Sequence, residues 1–329
     1  MATMTARRVP RPRRTWASTA GEKLINGWIF LCGMISILFV FLIFFFVFRE
    51  AAPLLREYPM AKFFFGKEWV PVPPEIDALP EFGLLPLLLS SILVTLGAVV
   101  IAIPLGIMSA IFIAEIAPPR LRDVLKPAIE LLAAIPSVVL GFFGVAVVAG
   151  WLRDELHVPF GGLTLLAGSI VLAFMAIPTI ATISEDAIAA VPREIREGSL
   201  GLGATHWQTV RHVILPAAFS GITAAVMLGM GRAIGETMVV LMLTGNGIGS
   251  HLNALMNEPG GVLGTFQHVF GAYLELGRTM TATIAADWAE AEAGGLHFRA
   301  LFMLGVVLFV ITFFINLIAD WALARAKRI

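Results

Sequence analysis

Six separate stretches of this chain, each apolar for about 20 residues or more, constrain what it can fold into: about 25–48, 84–113, 129–151, 163–184, 214–243 and 300–321. Hydrophobic residues make up 58% of the 329, charged residues only 14%, and mean hydropathy is +0.87, far more apolar content than a soluble core needs. The sequence therefore predicts an all-α polytopic membrane protein with six transmembrane helices. The first run exceeds the apolar core of a secretion signal, and Arg49-Glu50 follows it where a small-residue cleavage site would stand, so it reads as an uncleaved span.

Basic residues are unevenly placed although formal net charge is zero. On a membrane protein that asymmetry reports orientation rather than nucleic-acid binding. With the N-terminus inside, 15 Lys and Arg fall on the cytoplasmic side, among them Arg7 to Lys23, Arg120, Arg122, Lys126, Arg193, Arg196 and Arg211, against 7 outside. Both termini are expected in the cytoplasm. The layout is a basic tail 1–24 held near anionic lipid headgroups, the first helix 25–48, an external loop 49–83, a core 84–322 carrying helices two to six, and a tail 323–329. Within the core, 192–216 is a cytoplasmic loop and 244–299 an external segment. Phe63-Phe64-Phe65 and Trp69 are expected at the membrane interface.

Several chemistries are excluded or unsupported. A phosphate-cradling Gly-x-x-x-x-Gly-Lys-Ser/Thr run is absent, so the chain is not itself an ATPase and is expected to carry no cofactor. Cys32 is the only cysteine and lies in an apolar run, where a small buried thiol is the plain reading. The six histidines show no spacing that points to a metal centre or a catalytic triad.

Two stretches carry the functional signal. In the cytoplasmic loop, Pro192 opens a short helix with acids in its first turn, Gly201 and Gly203 permit a tight turn, and Ala204–Ile214 resumes helical patterning. A helix-turn-helix at the membrane surface results; spacing alone leaves a partner contact and an ordinary surface hairpin both open. In the fifth span, Arg232 falls near mid-membrane, where a charge costs about 2.5–3.5 kcal/mol on insertion scales. Glu236, one turn onward, is expected to pair with it on the same face. The alternative is a purely structural ion pair. Gly231 and Gly235 are expected to serve close helix packing. Ser137, after Ile135-Pro136, suits pore lining or packing equally. Asp287, Glu290 and Glu292 form an acidic face on a helix predicted over Thr279–Ala293, either solvated or a docking surface.

The loop resembles that of ABC-transporter permeases, Glu-Ala-Ala, three residues, Gly, nine residues, Ile-x-Leu-Pro: Glu197, Gly203, Leu215 and Pro216 stand at the family's positions. Val213 replaces the isoleucine and Gly198-Ser199 the two alanines. Together with Ile129–Ser137, Gly231–Met238 and Trp288–Glu292 running into Gly295-Leu296-His297, the chain resembles PstC-type permease subunits of phosphate ABC importers, over about 24–322. That resemblance implies the MetI-like fold of type I importer permeases, in the bacterial inner membrane. It also implies a heterodimer with a homologous PstA-type permease, a PstB-type ATPase dimer that binds ATP and Mg, and a PstS-type phosphate-binding protein. Under it, Glu197, Gly203, Leu215 and Pro216 couple to the ATPase. Arg232, Glu236, Ser137 and Thr237 line the substrate pathway, and Asp287, Glu290 and Glu292 dock the binding protein. Arg232 would be a transient phosphate ligand, and Glu236 would accept a hydrogen bond from the hydroxyl that phosphate keeps and sulfate lacks. A permease for sulfate or molybdate, or an ion-coupled transporter, are the rival readings.

Overall fold

The computed structural model describes residues 16–73, 79–257 and 261–326; Arg7 to Arg14, Pro74, Lys327 and Arg328 lie outside them. Among the described residues six helical stretches are long and apolar enough to cross a membrane: Gly21–Glu57, Leu85–Ile116, Ser137–Leu156, Phe160–Ala189, His206–Ile234 and Leu296–Ile318. The chain divides into two units, Met1–Glu50 and Ala51–Ile329.

The first unit holds helix α1 (Trp16–Ala51), apolar around its whole circumference, with Phe44 and Phe48 stacked one turn apart. It begins well before residue 25, because Ala17, Ala20, Glu22 and Lys23 favour helix and the last proline upstream is Pro12. Residues 16–23 are thus helix and not the tail expected.

The second unit opens with two short helices, α2 (Leu54–Glu57) and α3 (Met60–Phe65), then the antiparallel pair β1 (Trp69–Val70) and β2 (Glu81–Phe82). Phe63, Trp69 and Phe82 are buried here and Phe65 exposed. Trp69 meets Phe82 edge to face at 5.3 Å, so Phe63 and Trp69 fill a small core and are not interface anchors.

Helices α4 (Leu85–Ile111) and α8 (Leu165–Ala189) form the centre, with α11 (Leu215–Ile234) packed across both. Leu93, Ala98, Ala102, Leu172, Ala176 and Ile180 are among the buried residues between them. The close approach depends on small residues: Ile180 of α8 sits between Gly106 of α4 and Gly229 of α11, where an added Cβ would come within 2.8 and 2.5 Å of Ile180. Those two glycines do the packing expected of Gly231 and Gly235. Among the described residues a Cβ at Gly231 would meet nothing within 4 Å, and one at Gly235 only its own turn.

Two predicted spans are broken. α5 (Pro119–Ala133) ends before Pro136, which supplies no N–H and restricts Ile135, and α6 (Ser137–Phe143) restarts beyond it, running through a wide turn at Gly144–Ala149 into α7 (Gly150–Leu156). The third span is therefore 137–156, not 129–151. The fifth stops at Ile234: after α9 (Arg193–Gly201) and α10 (His206–Thr209), α11 ends just before Gly235, and α12 (Met238–Leu243) begins afresh.

The segment 244–299 carries more helix than the sequence promised: α13 (Ser250–Asn257), α14 (Gly261–Tyr273) and α15 (Met280–Asp287), before α16 (Leu296–Ala326) completes the bundle. The α13–α14 hairpin leans on the core, with the Tyr273 hydroxyl donating to Leu93 O at 2.7 Å. α15 stops at Asp287 rather than Ala293; a hydrogen-bonded turn follows, and Gly294 at φ +79° turns the chain toward α16.

Candidate functional site

Arg232 sits at the last turn of α11, half-buried, beside the break between α5 and α6. One guanidinium nitrogen donates to Thr179 Oγ1 of α8 at 3.1 Å, the other to the carbonyl of Ala133 at 3.2 Å. Ala133 is the final residue of α5, so the arginine satisfies a carbonyl that the helix end leaves without an intrahelical donor. A cavity of about 430 Å³ flanks this point, lined by apolar residues that include Leu132, Ile135, Phe174, Ile177 and Pro178.

Glu236 does not pair with Arg232 among the described residues. Because the helix breaks at Gly235, the two no longer share a face one turn apart; Glu236 Oε1 instead accepts from the Met238 and Val239 amides at 3.1 and 3.5 Å, where a carboxylate complements the start of α12. Its backbone carbonyl accepts from Thr281 Oγ1 of α15 at 2.8 Å. Thr237 is half-buried with its hydroxyl 3.5 Å from Gly235 O. Ser137, half-buried, opens α6 just beyond Pro136. Arg232, Glu236 and Thr237 therefore share one break and Ser137 the other.

At one end of the bundle, α9 and α10 make the expected helix-turn-helix. Gly203 has φ +87°, its N–H donates to Leu200 O at 2.9 Å, and no atom of the described residues lies within 4 Å of where its Cβ would stand. Thr205 and Gln208 close a reciprocal cap on α10, and the hydroxyls of Ser199 and Thr209 meet at 3.0 Å. Glu197 and Pro216 are exposed and Leu215 half-buried.

Two ion-pair groups toward the C-terminal end of α8 carry no local signal in the sequence that joins their partners. Arg196 of α9 pairs with Glu115 beyond α4 and donates to Ile188 O of α8 at 2.6 Å. Glu185, 1% exposed, receives both Arg122 and Lys126 of α5. Hydrogen bonds to Asp186 and Glu185, opposed by partial burial, raise the Lys126 pKa. The one signal in sequence was the i, i+4 spacing of Arg122 and Lys126, which places both on one face of α5.

Asp287 leaves the expected acidic face. It is 6% exposed and accepts from Trp69 Nε1 at 2.9 Å, from Arg278, and lies 3.3 Å from His297 Nε2, whereas Glu290 and Glu292 are exposed in the following turn.

A bundle of spans with a charged helix-turn-helix at one end and broken helices around a half-buried arginine defines a multi-pass membrane permease. The family described as the binding-protein-dependent transport system inner membrane component matches residues 102–328, and the chain belongs to it. Among its relatives, the probable ABC transporter permease protein YqgH of Bacillus subtilis is 40% identical over 251 residues, covering 76% of this chain and 75% of that one. The phosphate transport system permease protein PstC of Mesorhizobium japonicum is 34% identical over 282 residues (80% and 78%), and PstC 1 of Mycobacterium tuberculosis 33% over 270 residues (75% and 74%). The crystal structure of a bacterial alginate ABC transporter in complex with an alginate pentasaccharide-bound periplasmic protein superposes with TM-score 0.55 at 15% identity, covering 91% of this chain and 94% of that one, which speaks to the fold alone.

Proposed function

We propose that this chain forms half of the translocation path for inorganic phosphate in an ATP-driven importer of the bacterial cytoplasmic membrane. The PstC relatives are phosphate permeases by name, and the observation that carries the reading is the Arg232 guanidinium. Held by Thr179 and the Ala133 carbonyl beside an apolar cavity, it has five N–H donors, of which two are committed among the described residues. An oxyanion that sheds water in the membrane regains hydrogen bonds from the others, in a medium where each is stronger than in water. Glu236 spends Oε1 on the Met238 and Val239 amides, and its second carboxylate oxygen is an acceptor for a protonated phosphate.

The remaining assignments follow from this reading. A homologous PstA-type permease completes the path, a PstB-type ATPase dimer with ATP and Mg seats on the α9–α10 hairpin around Glu197 and Gly203, and a PstS-type protein delivers phosphate at the opposite face. The excess of basic residues on the hairpin side supports a cytoplasmic position for that side and for both termini. Of the three acids first grouped for docking, Glu290 and Glu292 are available to the binding protein, and Asp287 belongs to the fold.

Reconstituted vesicles containing the whole complex test the proposal. Arg232→Met should abolish ATP-dependent phosphate uptake while assembly persists, and Arg232→Lys should recover only part of it, because an ammonium cannot offer two parallel donors. Normal uptake by Arg232→Met removes the arginine from the path.

A further inference from the structure

We propose that Thr179 is a second ligand of the transported anion, its hydroxyl proton completing a clamp with Arg232; this rests on the reading of Arg232 above. The Thr179 oxygen accepts from Arg232 at 3.1 Å, which uses a lone pair and leaves the O–H to donate. Hydroxyls elsewhere on the spans spend that proton on the carbonyl one turn back: Thr182 on Pro178 O at 2.8 Å, Thr223 on Phe219 O at 2.8 Å, Ser169 on Leu165 O at 2.8 Å. Among the described residues Thr179 makes no such bond. It is also half-buried rather than sealed in, between the buried Pro178 and Ile180, and next to the wall that Ile177 and Pro178 give to the 430 Å³ cavity.

The arrangement has a chemical logic. A hydroxyl that accepts from a guanidinium is polarised, so its own proton becomes a better donor. The hydroxyl and the guanidinium sit within one hydrogen-bond length of each other, the separation at which two oxygens of one tetrahedral oxyanion are reached together. The same bond fixes the arginine fork, whose other end is tied to Ala133 O, so Thr179 both orients Arg232 and adds a donor. An O–H serves any oxyanion oxygen, and its contribution is to affinity in the path.

Chemical protection of Arg232 reads this directly. In the purified complex, phenylglyoxal labelling of Arg232 is followed by peptide mass spectrometry while inorganic phosphate is titrated. Thr179→Val, which keeps the shape and removes the hydroxyl, should raise the half-protecting phosphate concentration about tenfold, the scale of one hydrogen bond to a charged group. Thr179→Ser should stay within about twofold of wild type. An unchanged value in Thr179→Val, or equal shifts in Val and Ser, overturns the ligand role. Absence of protection in the wild type shows instead that Arg232 does not meet phosphate, and the proposal falls with that reading. If Thr179→Val does not assemble, Thr179→Ala carries the same comparison against Ser.

Discussion

Arg196 and Glu115 form an ion pair that fastens the first helix of the surface hairpin to the end of α4, with Glu115 only 6% and Arg196 22% exposed at the side chain. The same guanidinium reaches Ile188 O, so one residue of α9 grips two core helices. Any push on the hairpin is thereby delivered to α4 and α8 together. Glu115→Gln leaves the arginine partly buried without its counter-charge, at a cost of about 3 kcal/mol where such a pair is broken from one side. Hydrogen exchange across 193–201 should accelerate at least tenfold, and transport should fall relative to ATP hydrolysis in the assembled complex. Exchange rates equal to wild type would show that the pair does not hold the hairpin.

Gly203 gives a cleaner test of the hairpin, since its φ of +87° strains any L residue while its surroundings leave space for a side chain. Gly203→Ala should cost about 1–2 kcal/mol through backbone strain alone, and Gly203→Val more. Co-purification of the ATPase subunits should weaken in that order with membrane insertion unchanged. Full retention of the ATPase by Gly203→Val would separate the turn from the coupling.

The six spans and the hairpin were legible because they rest on local signals: runs of apolar residues, a proline, and a glycine forced to positive φ at 203. The breaks were harder to read. Pro136 sat inside an apolar run, and prolines such as Pro104 and Pro178 are carried within helices here, so the residue alone does not announce a break. Gly235 likewise ends α11 where Gly229 continues it. The pairing of Arg232 with Glu236 assumed a continuous helix, and it failed with that assumption. The partners that replaced it, Thr179 and Ala133, are 53 and 99 residues away, beyond the reach of any local pattern. Glu185 was hidden for the same reason, its two cations lying 59 and 63 residues upstream.

Glu275 gives the α13–α14 hairpin a pH dependence of determinate sign. Burial alone would raise its pKa; hydrogen bonds from the Ser250 hydroxyl, at 2.6 Å, and the His251 amide, at 2.8 Å, together with the His251 ring, outweigh burial and hold it below the usual carboxylate range. A carboxylate whose folded pKa is lowered contributes stability that is present above its unfolded value, about 4.3, and is lost as pH falls through the folded one. Amide exchange over 250–257 should therefore rise, once intrinsic rates are removed, as pH falls below about 4. In Glu275→Gln the protection should be lower near neutrality and insensitive to acid. Equal protection in both proteins at neutral pH would mean that the carboxylate does not anchor α13.

Asp287 and its neighbours Glu290 and Glu292 make opposite predictions although they look alike in sequence. Asp287 gathers three segments: Trp69 from β1, Arg278 from the turn before α15, and His297 from the start of α16, where His297 also stacks on Phe82. Asp287→Asn keeps the shape but removes the charge opposite Arg278, itself 15% exposed, and turns one acceptor into a donor that faces other donors. The loss should be about 3 kcal/mol, enough to lower the melting temperature by roughly 6 °C or more. Trp69→Phe, which forfeits one hydrogen bond and keeps the aromatic packing, should lose about 1 kcal/mol. Glu290→Lys with Glu292→Lys should leave stability within about 0.5 kcal/mol. It should instead slow delivery by the binding protein, chiefly at low salt, where charge steering acts over the longest range. Thermal melts of the detergent-purified complex and uptake rates across a salt series separate the two roles. Wild-type melting of Asp287→Asn would mean the carboxylate is not holding those segments, and salt-independent wild-type uptake in the double lysine variant would return Glu290 and Glu292 to plain solvated surface.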